Sequence, residues 1–267
     1  MKLSQKIGAT VVALATTIGL AACSDSGSTT ASTASSEVAT SARTADAALT
    51  VKDAAGRTIE FAEMPDRIVL AEGRAAYATA LLQENPLDNI VAYGQDLVKN
   101  AGAFRDKLLE LQPEAKDLPA IGMIQKGDVT VENLLAQDPD VVIMTLDQKK
   151  AAEEAGMIAD MDAAGITYAY IDFRQKPLEN TTVSMQLLGD LLGQSERAAK
   201  YNEFYDAKVK EISERAAKIA EKPDVLLWTA AGYNECCAIA GNVHLGTLVT
   251  AAGGHNLLMC GPPGSGK

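Results

Sequence analysis

The sequence predicts an α/β protein of two lobes joined by one long helix, with the second lobe truncated. Three observations support this fold class. Short β-branched segments alternate with helical segments through the first half of the chain, which indicates a mainly parallel sheet covered by helices. Residues 195–222 carry apolar side chains at helical spacing over a long stretch, and a new buried strand, DVLLWTA, opens after Pro223.

The first 22 residues have the order of an export signal. Lys2 and Lys6 precede an apolar stretch at residues 7–20, which is short for a membrane span, and small residues lead to Cys23. The ending LAAC resembles the lipobox of bacterial lipoproteins, in which the cysteine is lipidated. We therefore expect an extracytoplasmic protein that is anchored to the lipid bilayer through Cys23.

Residues 23–48 form a Ser/Thr/Ala-rich segment with almost no large apolar side chain. Such a segment cannot bury enough surface to offset its ordering entropy, so we expect a flexible linker. The chain has 35 acidic and 24 basic residues, and its net charge of −11 disfavours nucleic acid as a partner. The two histidines, His244 and His255, do not form a ligand set with nearby carboxylates, so no metal site is expected.

The first lobe is predicted at residues 49–194. It opens with a hairpin whose turn lies at Ala55 and Gly56. Alternation then predicts strands at 68–71, 89–93, 141–145 and 167–171, and helices at 75–83, 103–111, 131–137 and 149–164.

The interlobe helix is predicted at residues 195–222, with a length of roughly 40 Å at about 1.5 Å per residue. The partial second lobe, residues 223–256, repeats the order strand, loop, helix: DVLLWTA, AAGYNECCAIAGN and HLGTLVTAAGG. The first lobe opens with the same order. The architecture is therefore two Rossmann-like lobes joined by one long helix.

Four stretches carry a family resemblance: PDRIVLAEGRAAYATALL, GDVTVENLLAQDPDVVIM, GITYAYIDFRQKPLENTTVSMQLLGDLLG and GTLVTAAGGHN. Between residues 49 and 256 the chain resembles the solute-binding proteins of bacterial ABC importers for ferric siderophores, haem and vitamin B12. The resemblance implies a protein without catalytic activity or cofactor that captures an iron complex and passes it to a membrane permease. IDFRQKPLENT favours a ferric siderophore, with haem or a corrinoid as the alternative.

In open α/β sheets ligands bind beyond the carboxyl ends of the strands. Cations in the loops at these ends would suit an anionic iron complex, and arginine holds oxyanions with a fixed fork. Each lysine is alternatively a solvated side chain, and each aromatic residue a packing residue. The resemblance also implies a tyrosine on iron in haem binders, for which Tyr77 and Tyr93 are candidates. The predicted ligand-binding residues are Arg74, Tyr93, Lys126, Lys149 and Arg174, with Trp228 and Tyr233 from the second lobe.

Glu132, in VTVENLLAQDPD, matches the acidic position that docks on permease arginines in this family. An acidic residue in the first turn of a helix also stabilises the helix dipole, so both interpretations stand.

The tail at residues 257–267 ends in GPPGSGK, and AAGGHNLLMCGPPGSGK resembles the P-loop entry of magnesium-chelatase-like AAA+ ATPases. Nothing follows Lys267, so the hydroxyl residue and helix of a working phosphate loop are missing. We expect Gly261, Gly264, Gly266 and Lys267 to be inert. The tail is interpreted as a foreign or truncated segment; a turn-rich natural end and a fragment of an ATPase fusion are the alternatives.

Overall fold

The computed structural model describes residues 48–227 and 245–257. The described chain opens with a hairpin of two antiparallel strands, β1 (Leu49–Lys52) and β2 (Thr58–Phe61). Gly56 lies in the predicted turn with a φ of 81°, a conformation that glycine adopts without strain. The predicted hairpin is therefore confirmed.

The core of the fold is a parallel sheet of five strands: β3 (Ile68–Leu70), β4 (Ile90–Gly94), β5 (Ala120–Ile121), β6 (Val141–Thr145) and β7 (Tyr168–Ile171). Their order across the sheet is β5-β4-β3-β6-β7. The central strands β3 and β6 are buried along their whole length, which explains their continuous apolar sequences.

Helices cover both faces of this sheet, and alternate strand residues enter two separate apolar clusters. The helices are α1 (Ala76–Leu82), α2 (Asp96–Asn100), α3 (Gly102–Leu111), α4 (Val131–Leu135), α5 (Leu146–Glu154), α6 (Met157–Ala163) and α7 (Pro177–Leu191). Leu70 and Ile143 belong to the cluster beneath α1 and α7, whereas Val142 and Met144 belong to the other cluster. The single helix predicted at 149–164 is wrong, because Gly156 has a left-handed φ of 74° and separates α5 from α6.

The order of the strands reverses beside β3. From β3 the chain moves to β4 and β5 on one side, and from β6 it moves to β7 on the other. The connections that leave β3 and β6 therefore diverge and open a crevice at the carboxyl ends of these strands.

The hairpin covers the outer edge of β7. The backbone N–H of Ala54 donates to the carbonyl of Tyr170 at 2.8 Å, and Arg57 Nη2 donates to the carbonyl of Tyr168 at 2.8 Å. The Arg57 guanidinium also lies 4.3 Å above the Tyr168 ring centroid. These contacts protect an edge strand that would otherwise be open to strand addition.

The long helix α8 (Ser195–Ala216) has 22 residues and ends before residue 222, the predicted end. Its first half packs along α7. Asn202 donates a side-chain hydrogen bond to the Thr182 carbonyl at 2.9 Å, and the Tyr205 hydroxyl donates to the Pro177 carbonyl at 2.9 Å.

Beyond α8, a short parallel pair forms from β8 (Asp224–Val225) and β9 (His255–Asn256). Helix α9 (Leu245–Ala251) lies between them in the chain, as predicted for HLGTLVTAAGG. The order strand, helix, parallel strand agrees with the α/β unit that the sequence predicts after Pro223.

Candidate functional site

A cavity of about 320 Å³ lies at the carboxyl edge of the sheet, beside the crevice between β3 and β6. One side of the cavity is charged and the other is apolar and aromatic. Its lining consists of Glu72, Arg74, Ala75, Tyr77, Ala78, Leu81, Thr145, Ile171, Phe173, Arg174, Met185 and Tyr201.

The loop after β3 places Arg74 at this cavity, and the buried Asp96 holds that loop. Asp96 Oδ1 accepts the Gly73 N–H at 2.8 Å, and Oδ2 accepts both the N–H and Nε of Arg74 at 3.0 Å. A side chain at Gly73 would collide with the backbone of Gly94 and with Leu97. The loop therefore approaches the end of β4 closely, and only glycine allows this.

The loop after β7 places Arg174, and the buried Asp172 organises it in a similar way. Asp172 Oδ1 accepts the backbone N–H groups of Arg174 at 2.9 Å and Gln175 at 2.7 Å. Its Oδ2 accepts the Lys176 N–H at 2.9 Å and the Asn180 amide at 2.8 Å. A carboxylate with four donors fixes the loop backbone from which Arg174 projects.

The two arginines meet through carboxylates. Glu72 Oε1 lies 2.8 Å from Arg74 Nη2, and Glu72 Oε2 lies 2.6 Å from Arg174 Nη2. Arg174 Nη2 also donates to Asp147 Oδ2, and Arg74 Nε pairs with Asp96. We call these five side chains the arginine–carboxylate network.

Burial and charge shift the pKa values within this network in opposite directions. Burial raises the pKa of Glu72, and the neighbouring charges of Arg174 and Arg74 offset this only in part. For Asp147 burial is the largest single effect and acts to raise the pKa, but the hydrogen bonds from Arg174 and Thr145 and the charge of Arg174 together outweigh it, so the pKa is lowered. Burial acts to lower the pKa of Arg174, and the bond to Asp147 with the charge of Glu72 leaves it raised.

The apolar side of the cavity is formed by α1 together with residues of β7, α7 and α8. Tyr77 and Leu81 line the cavity and are about half exposed, at 49% and 50%. The ring of Tyr77 stacks on Phe104, with centroids 4.0 Å apart. The cavity therefore offers hydrogen-bond donors on one side and an apolar surface on the other, an arrangement typical of small-molecule sites.

The structure brings together Arg74 and Arg174 but not the other predicted binding residues that it describes. Tyr93 is buried, and its hydroxyl accepts a hydrogen bond from Arg105 Nε at 3.0 Å. Lys149 pairs with Glu153 of its own helix at 2.6 Å. Lys126 is exposed at the end of a 3₁₀ turn and does not line the cavity.

Several predicted residues lie outside the described ranges: Trp228, Tyr233, Cys23, Gly261, Gly264, Gly266 and Lys267. Of the two histidines, His255 lies on β9 with Nδ1 2.7 Å from Asp224 Oδ1. Within residues 48–227 and 245–257, no three His, Cys, Asp or Glu side chains are grouped to hold a metal ion. The helices in these ranges are all too short or too polar to cross a membrane.

Sequence reasoning missed the three carboxylates Glu72, Asp96 and Asp147. A signal was present, because each lies two positions after the last residue of a parallel strand: β3, β4 and β6, respectively. Carboxyl ends of parallel strands share one edge of the sheet, so acidic residues at equivalent positions converge there.

Glu132 is exposed in the first turn of α4, after the N-cap residue Thr130. Hydrogen bonds from its own backbone N–H and from the Thr130 side chain lower the pKa of Glu132. This position is compatible with the helix-stabilising interpretation, and the docking role stays a prediction.

Solved structures share this fold. A TroA-like periplasmic binding protein, FepB from Veillonella parvula, is 27% identical with a TM-score of 0.68, covering 78% of this chain and 61% of FepB. The haem complex of S. aureus IsdE is 22% identical with a TM-score of 0.51, covering 72% and 64%. The siderophore-binding protein BauB, bound to two acinetobactin molecules and ferric iron, is 18% identical with a TM-score of 0.53, covering 79% and 68%.

This chain therefore spans 61% of the length of FepB. No curated protein sequence matches it. The resemblance of the tail to AAA+ ATPases receives no support from these comparisons. Periplasmic binding proteins of this kind bind transported ligands and carry no cofactor. Because the model of that family, described as periplasmic binding protein, matches residues 94–264, the chain belongs to the periplasmic binding protein family.

Proposed function

We propose that the protein captures a ferric siderophore outside the cytoplasm and delivers it to the permease of an ABC importer. The observation that carries this proposal is that Arg74 and Arg174 lie together on one side of a cavity whose other side is apolar. Iron complexes of this class expose ligand oxygen atoms on an organic body. Such a ligand would place its oxygens on the arginines and its carbon surface on Tyr77 and Leu81.

The arginines have donors to spare. Arg174 uses Nη2 for its two carboxylate contacts, and Arg74 uses Nε and Nη2. Among the described residues, Arg174 Nε and Nη1 and Arg74 Nη1 have no hydrogen-bond acceptor. These N–H groups are the ones available to ligand oxygens.

Haem is the second candidate, and Tyr77 is the observation in its favour. This tyrosine lines the cavity and is about half exposed, and a phenolate can serve as the axial ligand of ferric haem. Haem bound through Tyr77 would also explain an aromatic stack beside the cavity. The described cavity has no feature that favours a corrinoid.

The two candidates can be separated by titrating the full chain with hemin and with a ferric siderophore, following visible absorption and heat. Saturable heat with the siderophore and no Soret shift with hemin would support the proposal. A Soret shift that Tyr77→Phe abolishes would replace the siderophore with haem.

We further propose that Cys23 is lipidated and that Glu132 contacts the permease. The LAAC motif supports the first proposal, and the exposed position of Glu132 is compatible with the second. Membrane fractionation of cells that express the protein tests the anchor: Cys23→Ser should move the protein from the membrane fraction to the soluble fraction.

A further inference from the structure

The arginine–carboxylate network does not carry the net positive charge that two arginines alone would give the site. Each guanidinium contacts two carboxylates, and Glu72 is shared between them. Three carboxylates therefore face two guanidinium groups, so negative charges exceed positive charges by one. The cationic site that the sequence suggests is electrostatically compensated.

Nearby lysines do not restore a positive charge. Lys149 and Lys150 pair with Glu153 and Glu154 along α5, and Lys176 lies 3.3 Å from Glu179. Among the described residues that line the cavity, the charged ones are Glu72, Arg74 and Arg174. A ligand in this cavity therefore meets arginine donors whose charge is already neutralised.

A polyanionic ligand would gain little binding free energy from electrostatic attraction at such a site. Each additional negative charge on the ligand would be attracted by two guanidinium groups and repelled by the three carboxylates that pair with them. The ligand would also lose its hydration in a cavity whose other side is apolar. A complex without net charge avoids both costs and can still accept hydrogen bonds from the free arginine N–H groups.

We propose that the cavity selects an iron(III) complex of no net charge with an apolar periphery and discriminates against polyanionic iron complexes. Glu72 and Asp147 are the specificity-determining residues, because their carboxylates contact Arg174 and compensate its charge. The inference rests on the iron-complex function proposed above and narrows it to one charge class.

The test compares two hexadentate chelates of iron(III) by isothermal titration calorimetry on the full chain. Three singly charged hydroxamates neutralise the ion, whereas three doubly charged catecholates leave three negative charges. We expect the tris-hydroxamate complex to bind at least about tenfold more tightly than the tris-catecholate complex. Raising the ionic strength should leave the affinity for the neutral complex almost unchanged.

Two variants test the assignment to specific side chains. Glu72→Gln and Asp147→Asn each remove one negative charge and keep a hydrogen-bond acceptor for Arg174. Each should raise the affinity for the tris-catecholate complex by about tenfold relative to the affinity for the neutral complex. The matched control is Glu60→Gln, which removes one exposed charge on β2 and should leave both affinities unchanged.

The outcomes separate this inference from the proposed function. If the unmodified protein prefers the tris-catecholate complex, the charge inference is overturned while iron-complex capture stands. An unchanged ratio of affinities in both folded variants overturns the assignment to Glu72 and Asp147. Binding of neither chelate overturns the proposed function itself. Thermal unfolding shows whether the variants are folded; if they are not, the comparison in the unmodified protein decides.

Discussion

At the scale of single residues, Arg74 and Arg174 are held in place before any ligand arrives. Asp96 fixes both the backbone and the side chain of Arg74, and Asp172 fixes the loop that carries Arg174. Side chains that are already ordered lose little conformational entropy on binding, which favours affinity. The same carboxylates reduce the arginines' charge, so preorganisation is gained together with lower attraction for anions.

Arg174→Ala should weaken ferric-siderophore binding by about tenfold, because a charge-assisted contact is lost. It should also lower the free energy of unfolding by roughly 1–3 kcal/mol, since Glu72 and Asp147 lose a partner in a partly exposed pair. Calorimetric titration and urea denaturation measure the two effects. Lys126→Ala is the control, because this exposed lysine does not line the cavity; an equal loss of affinity in both variants would remove Arg174 from the site.

The free energy of unfolding should depend on pH with opposite signs for Glu72 and Asp147. The folded pKa of Glu72 lies above its ordinary value of 4.5, so the folded state binds more protons and stability is lost as pH rises from that value. The folded pKa of Asp147 lies below 3.8, so its contribution is present above that pH and is lost on acidification.

Urea denaturation between about pH 3 and pH 7 would measure this difference, with Glu72→Gln and Asp147→Asn as the paired variants. Relative to the unmodified protein, Glu72→Gln should gain stability as pH rises, whereas Asp147→Asn should lose it. Parallel pH profiles for the two variants would contradict the assigned directions.

At the scale of elements, the sequence predicted the buried strands well and missed the short elements β5 and α2. β6 has the predicted bounds, and β3, β4 and β7 differ by one residue, because β-branched apolar runs are strong strand signals. β5 has two residues and α2 has five, too few for any periodicity to show. The paired carboxylates were missed for another reason: their partners lie on separate loops, so their contacts depend on strand order rather than on local sequence.

Gly189→Ala should destabilise the protein, because α7 and α8 lie close together at this residue. A Cβ at Gly189 would overlap with the Cβ of Ala198 on α8, and the two helices would have to separate. Overpacking of this kind costs about 1–3 kcal/mol. Gly102→Ala is the matched control in α3, where a Cβ would meet no atom within 4 Å and alanine should stabilise the helix slightly.

Chemical denaturation followed by circular dichroism would measure both glycine variants. A loss of stability in Gly189→Ala together with a neutral or positive effect in Gly102→Ala would confirm that helix contact limits residue 189. Equal effects in the two variants would show instead that the α7–α8 contact tolerates a methyl group.

At the scale of the whole molecule, the described cavity is formed by the first sheet together with α1, α7 and α8. The pair β8 and β9 begins a second strand–helix–strand unit after the long helix, as the repeated pattern in the sequence predicts. Ligand capture and delivery to a permease would then use different surfaces, since Glu132 on α4 does not line the cavity. Variants of the cavity should consequently change ligand affinity, whereas variants at Glu132 should change uptake by the cell.

Glu132→Arg should lower iron uptake by cells that carry the importer, because it places a positive charge where permease arginines would dock. Affinity for the iron complex should stay unchanged, since the cavity is intact. Glu110→Arg is the control. Like Glu132, Glu110 is an exposed glutamate on a helix; it lies on α3, where it pairs with Lys107. Uptake of radioactive iron and calorimetric titration would be measured for both variants. Equal uptake by the two variants would assign Glu132 to stabilisation of α4 alone, whereas a selective loss of uptake in Glu132→Arg would place permease docking on this helix.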